Sequence, residues 1–238
     1  MRHSARVLAA VAVVLPGAVA AQSPQPYLGL EGGFRTGDFG TAVRSELYSA
    51  YVNGGVVGEE WDAGFTAAFH TLATEGGGSE SGPGDVVVRA GRFLLPPAPS
   101  GLSLYGSAAV KLPTADEDDG LGTGETDYGG FLHLRQRFAG YQATLYGGYT
   151  VVGDPPGTDY NDTVTYGGQL YLPLDRAWTY LGLEGRTALT DDSEDALELI
   201  AGAFGPVSPD ITLTGEAFVG LTDGSPDLGV RAGFIRWF

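Results

Sequence analysis

The chain has no cysteine and only three histidines. The absence of cysteine excludes disulfides and a lipoprotein anchor, although an exported protein could have formed disulfides. Beyond the first 21 residues only His70 and His133 remain. A hydrolase that acts through a nucleophilic side chain needs a nucleophile, a base and an orienting group within hydrogen-bond reach. The sequence offers no such set, so we predict that the protein is not an enzyme and has no cofactor.

Long apolar runs and basic residues are also scarce. Beyond residue 21 no stretch approaches the roughly 18 apolar residues of a transmembrane helix. The chain has 13 Lys and Arg against 29 Asp and Glu, and the first 21 residues hold two of the basic and none of the acidic ones. The remainder therefore carries a formal charge of −18. Such a balance argues against nucleic acid as a partner.

The first 21 residues have the pattern of a secretory signal peptide. Arg2 and Arg6 precede a short apolar run, and small residues surround a cleavage position after Ala20 or Ala21. We therefore divide the chain into a signal peptide, 1–21, and an exported barrel domain, 22–238. The length of that domain would also suit a soluble β-sandwich, so the pattern of strands and loops decides the fold.

Apolar and polar residues alternate in segments of strand length that are separated by turn-forming residues. In 141–151, for example, an apolar row alternates with Gln142, Thr144 and Thr150. The pattern predicts twelve strands, at 27–35, 42–52, 56–69, 85–95, 102–112, 127–138, 141–152, 163–172, 177–188, 196–204, 211–220 and 228–238. The predicted fold class is therefore all-β, a transmembrane antiparallel up-and-down β-barrel of 12 strands.

Short and long connections alternate between these strands. Short or proline-bearing turns are predicted at 53–55, 96–101, 139–140, 173–176 and 205–210. Longer connections, rich in glycine and acidic residues, are predicted at 73–84, 113–126, 153–162, 191–195 and 222–227. Bacterial outer-membrane barrels have short periplasmic turns and longer external loops, with an even number of strands that leaves both termini in the periplasm.

The chain ends in an aromatic residue at the end of a predicted strand. Counting back by twos from Phe238 gives a mostly apolar row, which Arg236 interrupts near the membrane rim, where a long cationic side chain can reach the headgroups. Outer-membrane barrels commonly end in this way. We expect Phe238 to be the residue that the barrel-assembly machinery contacts.

Several short motifs resemble those of one family of outer-membrane barrels. They are Lys111-Leu-Pro-Thr114, Leu121-Gly-Thr-Gly124 with Asp127, Gly84-Asp85, Gly148-Tyr149 and Ser225-Pro-Asp227. With them the chain resembles the barrels named for meta-pathway phenol degradation, which are also called transporters. Ala115 stands where that family usually has glycine, and Asp116 follows it. The resemblance implies an outer-membrane barrel for the passage of small, often aromatic or hydrophobic compounds.

The loop after Pro113 is expected to fold back over the barrel mouth. Proline ends the hydrogen-bond ladder, and Gly120, Gly122 and Gly124 allow positive φ in the returning segment. The acidic run 116–119 offers the hard oxygen ligands that Ca²⁺ prefers. Because it lacks a liganding spacing, a solvated acidic loop is the simpler interpretation, and no metal site is predicted.

If the apolar rows face lipid, the opposite rows place charged side chains in the lumen. The predicted pore-lining residues are Arg89, Lys111, His133, Arg135 and Arg137 on one side and Glu46, Glu184, Glu216 and Arg231 on the other. Opposed basic and acidic walls would set up a transverse field across an aqueous pore. The alternative is that these charges pair and close the lumen, because unpaired buried charge is costly.

These features predict an outer-membrane channel or transporter-like barrel for the passive passage of small solutes, including aromatic or hydrophobic compounds. The alternative function is a structural or adhesive surface barrel with a salt-bridged, closed lumen. The expected location is the outer membrane of a Gram-negative-type bacterium. The expected partners are outer-membrane lipid, a small-molecule permeant and the barrel-assembly machinery.

Deleting Phe238 is expected to lower the amount of folded protein in the outer membrane, because the last strand then lacks its aromatic end. The measurement is the amount of heat-modifiable protein in outer-membrane fractions, with F238Y as the control that keeps an aromatic terminus. Equal amounts of folded wild-type and shortened protein would contradict the prediction.

Overall fold

The computed structural model describes residues 23–39 and 43–238, so the predicted signal peptide lies outside the described residues. The described chain forms strands β1 (Gln25–Gly37), β2 (Ser45–Val57), β3 (Trp61–Thr74), β4 (Ser79–Pro83), β5 (Val86–Leu95), β6 (Leu102–Leu112), β7 (Asp127–Phe138), β8 (Tyr141–Val151), β9 (Thr163–Leu174), β10 (Ala177–Arg186), β11 (Ala196–Ser208), β12 (Ile211–Gly220) and β13 (Leu228–Trp237). Within these residues, no helix is long and apolar enough to cross a membrane.

The strands close into an antiparallel barrel of twelve positions. Apart from β4 and β5, which both pair with β3, each strand pairs with its neighbours in the chain, and β1 pairs with β13, so the ladder closes on itself. The short β4 and the longer β5 share one position in the barrel, because both pair with β3. β5 pairs with the first half of β3, from Trp61 to Thr66, and β4 pairs with its second half, from Phe69 to Ala73. The predicted barrel of 12 strands is therefore confirmed.

The connections separate into two ends. At the short-turn end lie both ends of the barrel domain and the turns 58–60, 96–101, 139–140, 175–176 and 209–210. At the long-loop end lie 38–39 and 43–44, 75–78, 113–126, 152–162, 187–195 and 221–227. Ala139 and Gly140 form a two-residue turn in which both have positive φ, 49° and 86°, as the hairpin geometry requires.

The turn predicted at 53–55 is wrong. These residues lie inside β2 and pair with both neighbouring strands, and the turn falls at 58–60. Glycine marks a close contact here, because a Cβ on Gly54 would lie 2.7 Å from a ring carbon of Phe65 on β3. Glycine inside a strand often has this meaning, which a sequence pattern does not separate from that of a turn.

Two further strands run beyond their predicted ends. β9 continues to Leu174 and β11 to Ser208, so both include a proline that was expected in a turn. In β11 the register shifts between Pro206 and Ser208. A shift of this kind accommodates a residue that has no N–H for the ladder.

The outer face of the barrel is apolar. Alternate residues such as Leu132, Leu145 and Leu181 are exposed on it to 52%, 63% and 53%. Exposed aromatic residues lie near both ends, with Tyr48, Tyr128, Tyr149 and Tyr166 toward the long loops and Trp61, Phe138, Tyr141 and Phe238 toward the short turns. An apolar band between two aromatic girdles is the surface that a bilayer requires of a transmembrane barrel.

The inner face carries aromatic rings that lie over glycines of the next strand. Phe131 of β7 pairs with Gly148 of β8, where a Cβ would lie 2.0 Å from its ring. Tyr146 of β8 pairs with Gly167 of β9, where a Cβ would lie 2.4 Å from its ring. These glycines therefore let large rings lie along the barrel wall, where they help to fill the narrow interior.

Purified mature protein in detergent is expected to give a β-type circular dichroism spectrum and to migrate differently on SDS gels before and after boiling, because the closed barrel resists SDS until it is heated. The control is the same protein denatured in urea before loading. A helical spectrum, or full solubility without detergent, would contradict the barrel.

Candidate functional site: the lumen of the barrel

A cavity of about 140 Å³ lies inside the barrel, against the inner faces of β5 to β11. Lys111 and Asp127 line it toward the long loops, and Arg135 and Tyr171 line it toward the short turns. Its wall combines cations, carboxylates and aromatic rings. Since these side chains are the inward rows of successive strands, the alternation of each strand places them in the lumen.

The structure brings five of the predicted site residues to this cavity: Arg89, Lys111, His133, Arg135 and Glu184. Arg137 lies on the same face of β7 but nearer the short-turn end, where its Nε donates to Oε1 of Gln142 at 3.2 Å. Glu216 and Arg231 lie together on the inner faces of β12 and β13, where they pair with each other.

The prediction that Glu46 lines the pore is wrong, because Glu46 lies on the outer face of the barrel. It shares the exposed row of β2 with Tyr48, whose hydroxyl donates to Oε2 of Glu46 at 3.0 Å. The inward row of this strand contains Ser49 and Asn53 instead, and Asn53 donates to Glu31 at 3.1 Å. Glu46 belongs to the row of outward apolar residues, but it lies at the long-loop end of β2, beyond most of the apolar band.

The cation at the centre of β5 has a carboxylate partner that the sequence analysis missed. Nη1 of Arg89 lies 2.7 Å from Oδ1 of Asp62 on β3, and the hydroxyl of Tyr105 donates to the other oxygen of the same carboxylate. Asp62 lies in the even-numbered row of β3, which alternation would have placed inward. It was overlooked because its neighbours in that row are small.

A second pairing joins the last strands to the first. Nη2 of Arg231 lies 2.9 Å from Oε1 of Glu216 on β12, and its Nε lies 3.4 Å from Oε2 of Glu31 on β1. The hydroxyl of Tyr180 donates to the second oxygen of Glu216 at 2.5 Å. Arg231 is thus held between two carboxylates across the seam where the barrel closes.

Lys111 forms the third pairing, at the long-loop end of the cavity. Its Nζ lies 2.8 Å from Oδ2 of Asp127 and 3.5 Å from Oδ2 of Asp85, and it donates to Oγ1 of Thr123 at 2.5 Å. All four residues belong to the motifs that carry the family resemblance. In this chain, those motifs therefore form one buried cluster that attaches the loop 113–126 to the barrel.

Asp85 organises the backbone of that loop. It accepts hydrogen bonds from the N–H groups of Thr114 and of the next residue, at 3.1 and 3.0 Å. Gly120 and Gly124 have positive φ, 69° and 74°, as predicted, but Gly122 does not. Gly122 is needed for space, because a Cβ there would lie 2.9 Å from Oδ2 of Asp85.

The separate basic and acidic walls predicted from alternation are therefore wrong as a description of this lumen. Arg89, Lys111 and Arg231 each lie beside a carboxylate of a neighbouring strand. Arg35, which the sequence analysis did not name, lies 3.8 Å from Glu198. Local pairing removes most of the transverse field, because each pair is close to neutral at the distances that matter to a solute.

A row of ring contacts runs across four adjacent strands inside the barrel. Phe93 and Tyr105 meet edge to face with ring centroids 5.5 Å apart, Tyr105 and His133 do so at 5.9 Å, and His133 stacks on Tyr146 at 5.6 Å with an interplanar angle of 27°. The hydroxyl of Tyr146 donates to Oε2 of Glu184 at 2.5 Å. The stacked pair of His133 and Tyr146 is the part of this row that lines the cavity.

Arg135 differs from the paired cations. Its side chain is only 8% exposed, and its guanidinium carbon lies 5.2 Å from the ring centre of Tyr105 and 5.7 Å from that of Phe93. In the described part of the chain, Nη2 of Arg135 is buried without a hydrogen-bond partner, and Arg135 forms no ion pair with a carboxylate.

The two rings do not offset the cost of burying this cation. A cation–π contact contributes about 0.5–2 kcal/mol, whereas burying a charged group costs several kcal/mol, on the order of 3–5. The guanidinium carbon lies over the two rings, and such contacts leave the N–H donors, which lie in the guanidinium plane, in need of acceptors. Arg135 is therefore a donor group in need of an acceptor.

The acidic loops lie outside the cavity. In 116–119, the N–H of Asp118 donates to Oδ1 of Asp116 at 3.0 Å, as in a solvated turn. Within residues 23–39 and 43–238, no group of three or more His, Asp or Glu side chains is arranged to hold a metal ion. In the next loop, hydrogen bonds from the Tyr149 hydroxyl and the Val152 N–H lower the pKa of Asp162.

Arg89→Met is expected to lower the free energy of unfolding by about 2–3 kcal/mol, because it leaves the Asp62 carboxylate without its counter-ion in a partly buried site. Arg135→Met is the matched control and is expected to cost less than about 1 kcal/mol, since it leaves no partner unpaired. Urea unfolding of both variants in lipid vesicles, followed by tryptophan fluorescence, measures the difference. Equal losses in the two variants would contradict this account of the lumen charges.

Comparison with known proteins finds similarity at the level of the fold. No protein-family model matches the chain, and no curated protein matches it in sequence. The crystal structure of an outer membrane channel from Pseudomonas putida F1 is similar over 94% of this chain and 100% of that one, with a TM-score of 0.77 at 15% identity.

Two further solved barrels are similar over most of their length. The NanC porin has a TM-score of 0.58 at 14% identity, over 88% of this chain and 98% of its own. The CymD monoaromatic hydrocarbon channel has a TM-score of 0.50 at 10% identity, over 90% and 88%. At these identities the comparisons show a shared fold, so the chain has the fold of an outer-membrane β-barrel.

Proposed function

We propose that the protein is an outer-membrane channel for the passive passage of small solutes. The observation that carries this proposal is the cavity inside the barrel, which is lined by charged and aromatic side chains while the outer face is apolar. A barrel that served only as a scaffold would gain stability from a fully apolar or fully packed interior, because charged lumen groups cost desolvation energy. A polar lumen is what transport of water-borne solutes requires.

The location follows from the same features. A closed barrel with an apolar outer band satisfies its backbone hydrogen bonds without water, as the hydrocarbon core demands. The N-terminal pattern of a signal peptide and the terminal Phe238 support export to a Gram-negative outer membrane and assembly there through the barrel-assembly machinery. Phe238 is 64% exposed, and so is accessible to such a partner.

The permeant class is a small planar compound. The rings of Phe131, His133, Tyr146 and Tyr171 line the cavity, and His133 and Tyr146 stack on each other. A cavity of about 140 Å³ matches a single aromatic ring, since an apolar cavity of about 150 Å³ can hold benzene. The similar fold of a monoaromatic hydrocarbon channel is consistent with this class.

A closed surface barrel is the second candidate. It is favoured by the ion pairs of Arg89, Lys111 and Arg231, which join neighbouring strands and occupy much of the lumen. If these pairs acted as a permanent plug, the cavity would be an isolated pocket without a path to either end. Conduction separates the two candidates.

Single-channel recording in planar bilayers is the decisive measurement. We expect folded wild-type protein to give discrete conductance steps. In Arg135→Ala and Arg137→Ala the reversal potential in a salt gradient is expected to move toward that of the cation, because each variant removes positive charge from the inner face of β7.

The control for protein quality is the heat-modifiable shift of the same preparation. A silent bilayer from protein that passes this control would overturn the channel and favour the closed surface barrel. Conductance that is present but unchanged in both variants would show that the ions pass without contact with the inner face of β7.

A further inference from the structure

We propose that Arg135 is an anion-binding centre in the lumen, and that it holds the carboxylate of a small aromatic acid. This inference rests on the proposed function. It adds to that function the residue that binds the charged end of the permeant. It depends on three observations: an unpaired buried cation, a wall of aromatic rings, and carboxylates that are already occupied.

The cation comes first. Arg89, Lys111 and Arg231 have carboxylate partners within 2.9 Å, whereas Arg135 has none within the described chain. Arg135 lines the cavity and is more than nine-tenths buried. A buried guanidinium with a free N–H is a strong donor in surroundings of low dielectric constant, so an anion that enters the cavity gains a charge-assisted hydrogen bond there.

The form of the anion follows from the donor. A guanidinium presents parallel N–H groups that match the two oxygens of a carboxylate. Arg135 is a single cation, and Arg89 and Lys111 of the same cavity wall are paired with carboxylates of their own. A singly charged carboxylate is therefore matched in charge, whereas a phosphate dianion would keep an uncompensated charge.

The body of the ligand follows from the rings. Tyr105 contacts the Arg135 guanidinium, and the row continues through His133 to Tyr146. A ligand bound to Arg135 through its carboxylate can therefore lay an attached ring along this row, in the offset or edge-to-face contacts that aromatic rings prefer. The cavity volume of about 140 Å³ limits the body to one ring.

The carboxylates of the cavity favour an anion over a cation as ligand. Glu184 accepts the hydroxyl of Tyr146 at 2.5 Å, Glu198 lies 3.8 Å from Arg35, and Asp127 lies 2.8 Å from Lys111. Each has a donor of its own, and an incoming ammonium would have to displace it. Within residues 23–39 and 43–238, Arg135 has no carboxylate partner and its Nη2 has no hydrogen-bond partner, so this nitrogen is available to an anion that enters the cavity.

Isothermal titration calorimetry on the folded wild-type protein in detergent, at low ionic strength, tests the proposal with benzoate as the probe. Benzyl alcohol, which keeps the ring and lacks the charge, is the comparison ligand. We expect benzoate to bind and Arg135→Gln to weaken it by at least about tenfold, the loss of a charge-assisted pair. Benzyl alcohol is expected to bind equally to both proteins.

Arg137→Gln is the matched comparison, because it removes the same charge two residues along the same face of β7. We expect it to weaken benzoate by less than about threefold, which is the effect of a screened, distant charge. Arg135→Gln that binds benzoate like the wild type would overturn the proposal. Equal losses in the two variants would also overturn it, since they would indicate general electrostatic attraction instead of a site.

Two further measurements keep the test decisive. If Arg135→Gln lacks the heat-modifiable shift, wild-type protein is used alone: benzoate is expected to raise the temperature of that shift and benzyl alcohol to raise it less, and equal effects would overturn the proposal. Calorimetry reads binding whether or not the barrel conducts. Binding without conductance would therefore leave the Arg135 site standing and reject the channel, and conductance without binding would do the reverse.

Discussion

The need to pair every backbone N–H and C=O group inside a hydrocarbon layer governs this structure. The pairings of β1 with β13 and of β2 with β3 close the sheet, as a sheet must close to satisfy its backbone without water. At the position shared by β4 and β5, further hydrogen bonds serve the backbone between the two strands. Where the strand is interrupted at Gly84 and Asp85, Gly84 N–H donates to the carbonyl of Ala68, and the carboxylate of Asp85 binds backbone N–H groups of the next loop.

Closure at twelve positions also sets the width of the lumen, and the width sets its chemistry. In a narrow lumen the charged side chains are largely withdrawn from water, so each charge needs a partner. Arg89, Lys111 and Arg231 find theirs on adjacent strands. The same narrowness explains the inward glycines, because a ring such as Phe131 fits only where the neighbouring strand has no Cβ. Arg135 has no such carboxylate partner in the described chain, and a charge without a partner is what a binding surface has and a packed interior lacks.

Buried polar contacts attach the long loops to the barrel, as they join the charged side chains of the lumen. Lys111 extends from a strand to Asp85 and Asp127, so a buried charge cluster helps to hold the loop 113–126, together with the buried side chain of Leu121. Ser225 has an equivalent role at the last loop, where its hydroxyl bonds both the N–H and the carbonyl of Leu197.

Much of the barrel could be predicted from the sequence. The period of two identified the strands and the inward rows, including Arg135 and Glu184, because each strand of a barrel has one face in lipid and one in the lumen. The glycines at 53–55 were misread as a turn, since glycine serves both a turn and a close ring contact. Glu46 was misplaced because one charge near the end of a strand does not fix which row faces inward.

The sequence alone determined the twelve positions of the barrel, the antiparallel order of the main strands and most of the lipid-facing surface, because these depend on local alternation and on the requirement for closure. Only the tertiary structure decided which charges meet. Asp62 and Arg89 are 27 residues apart in the chain, and their contact depends on the register between β3 and β5. The unpaired state of Arg135 is likewise a property of every strand around it, and no single segment of the sequence contains that information.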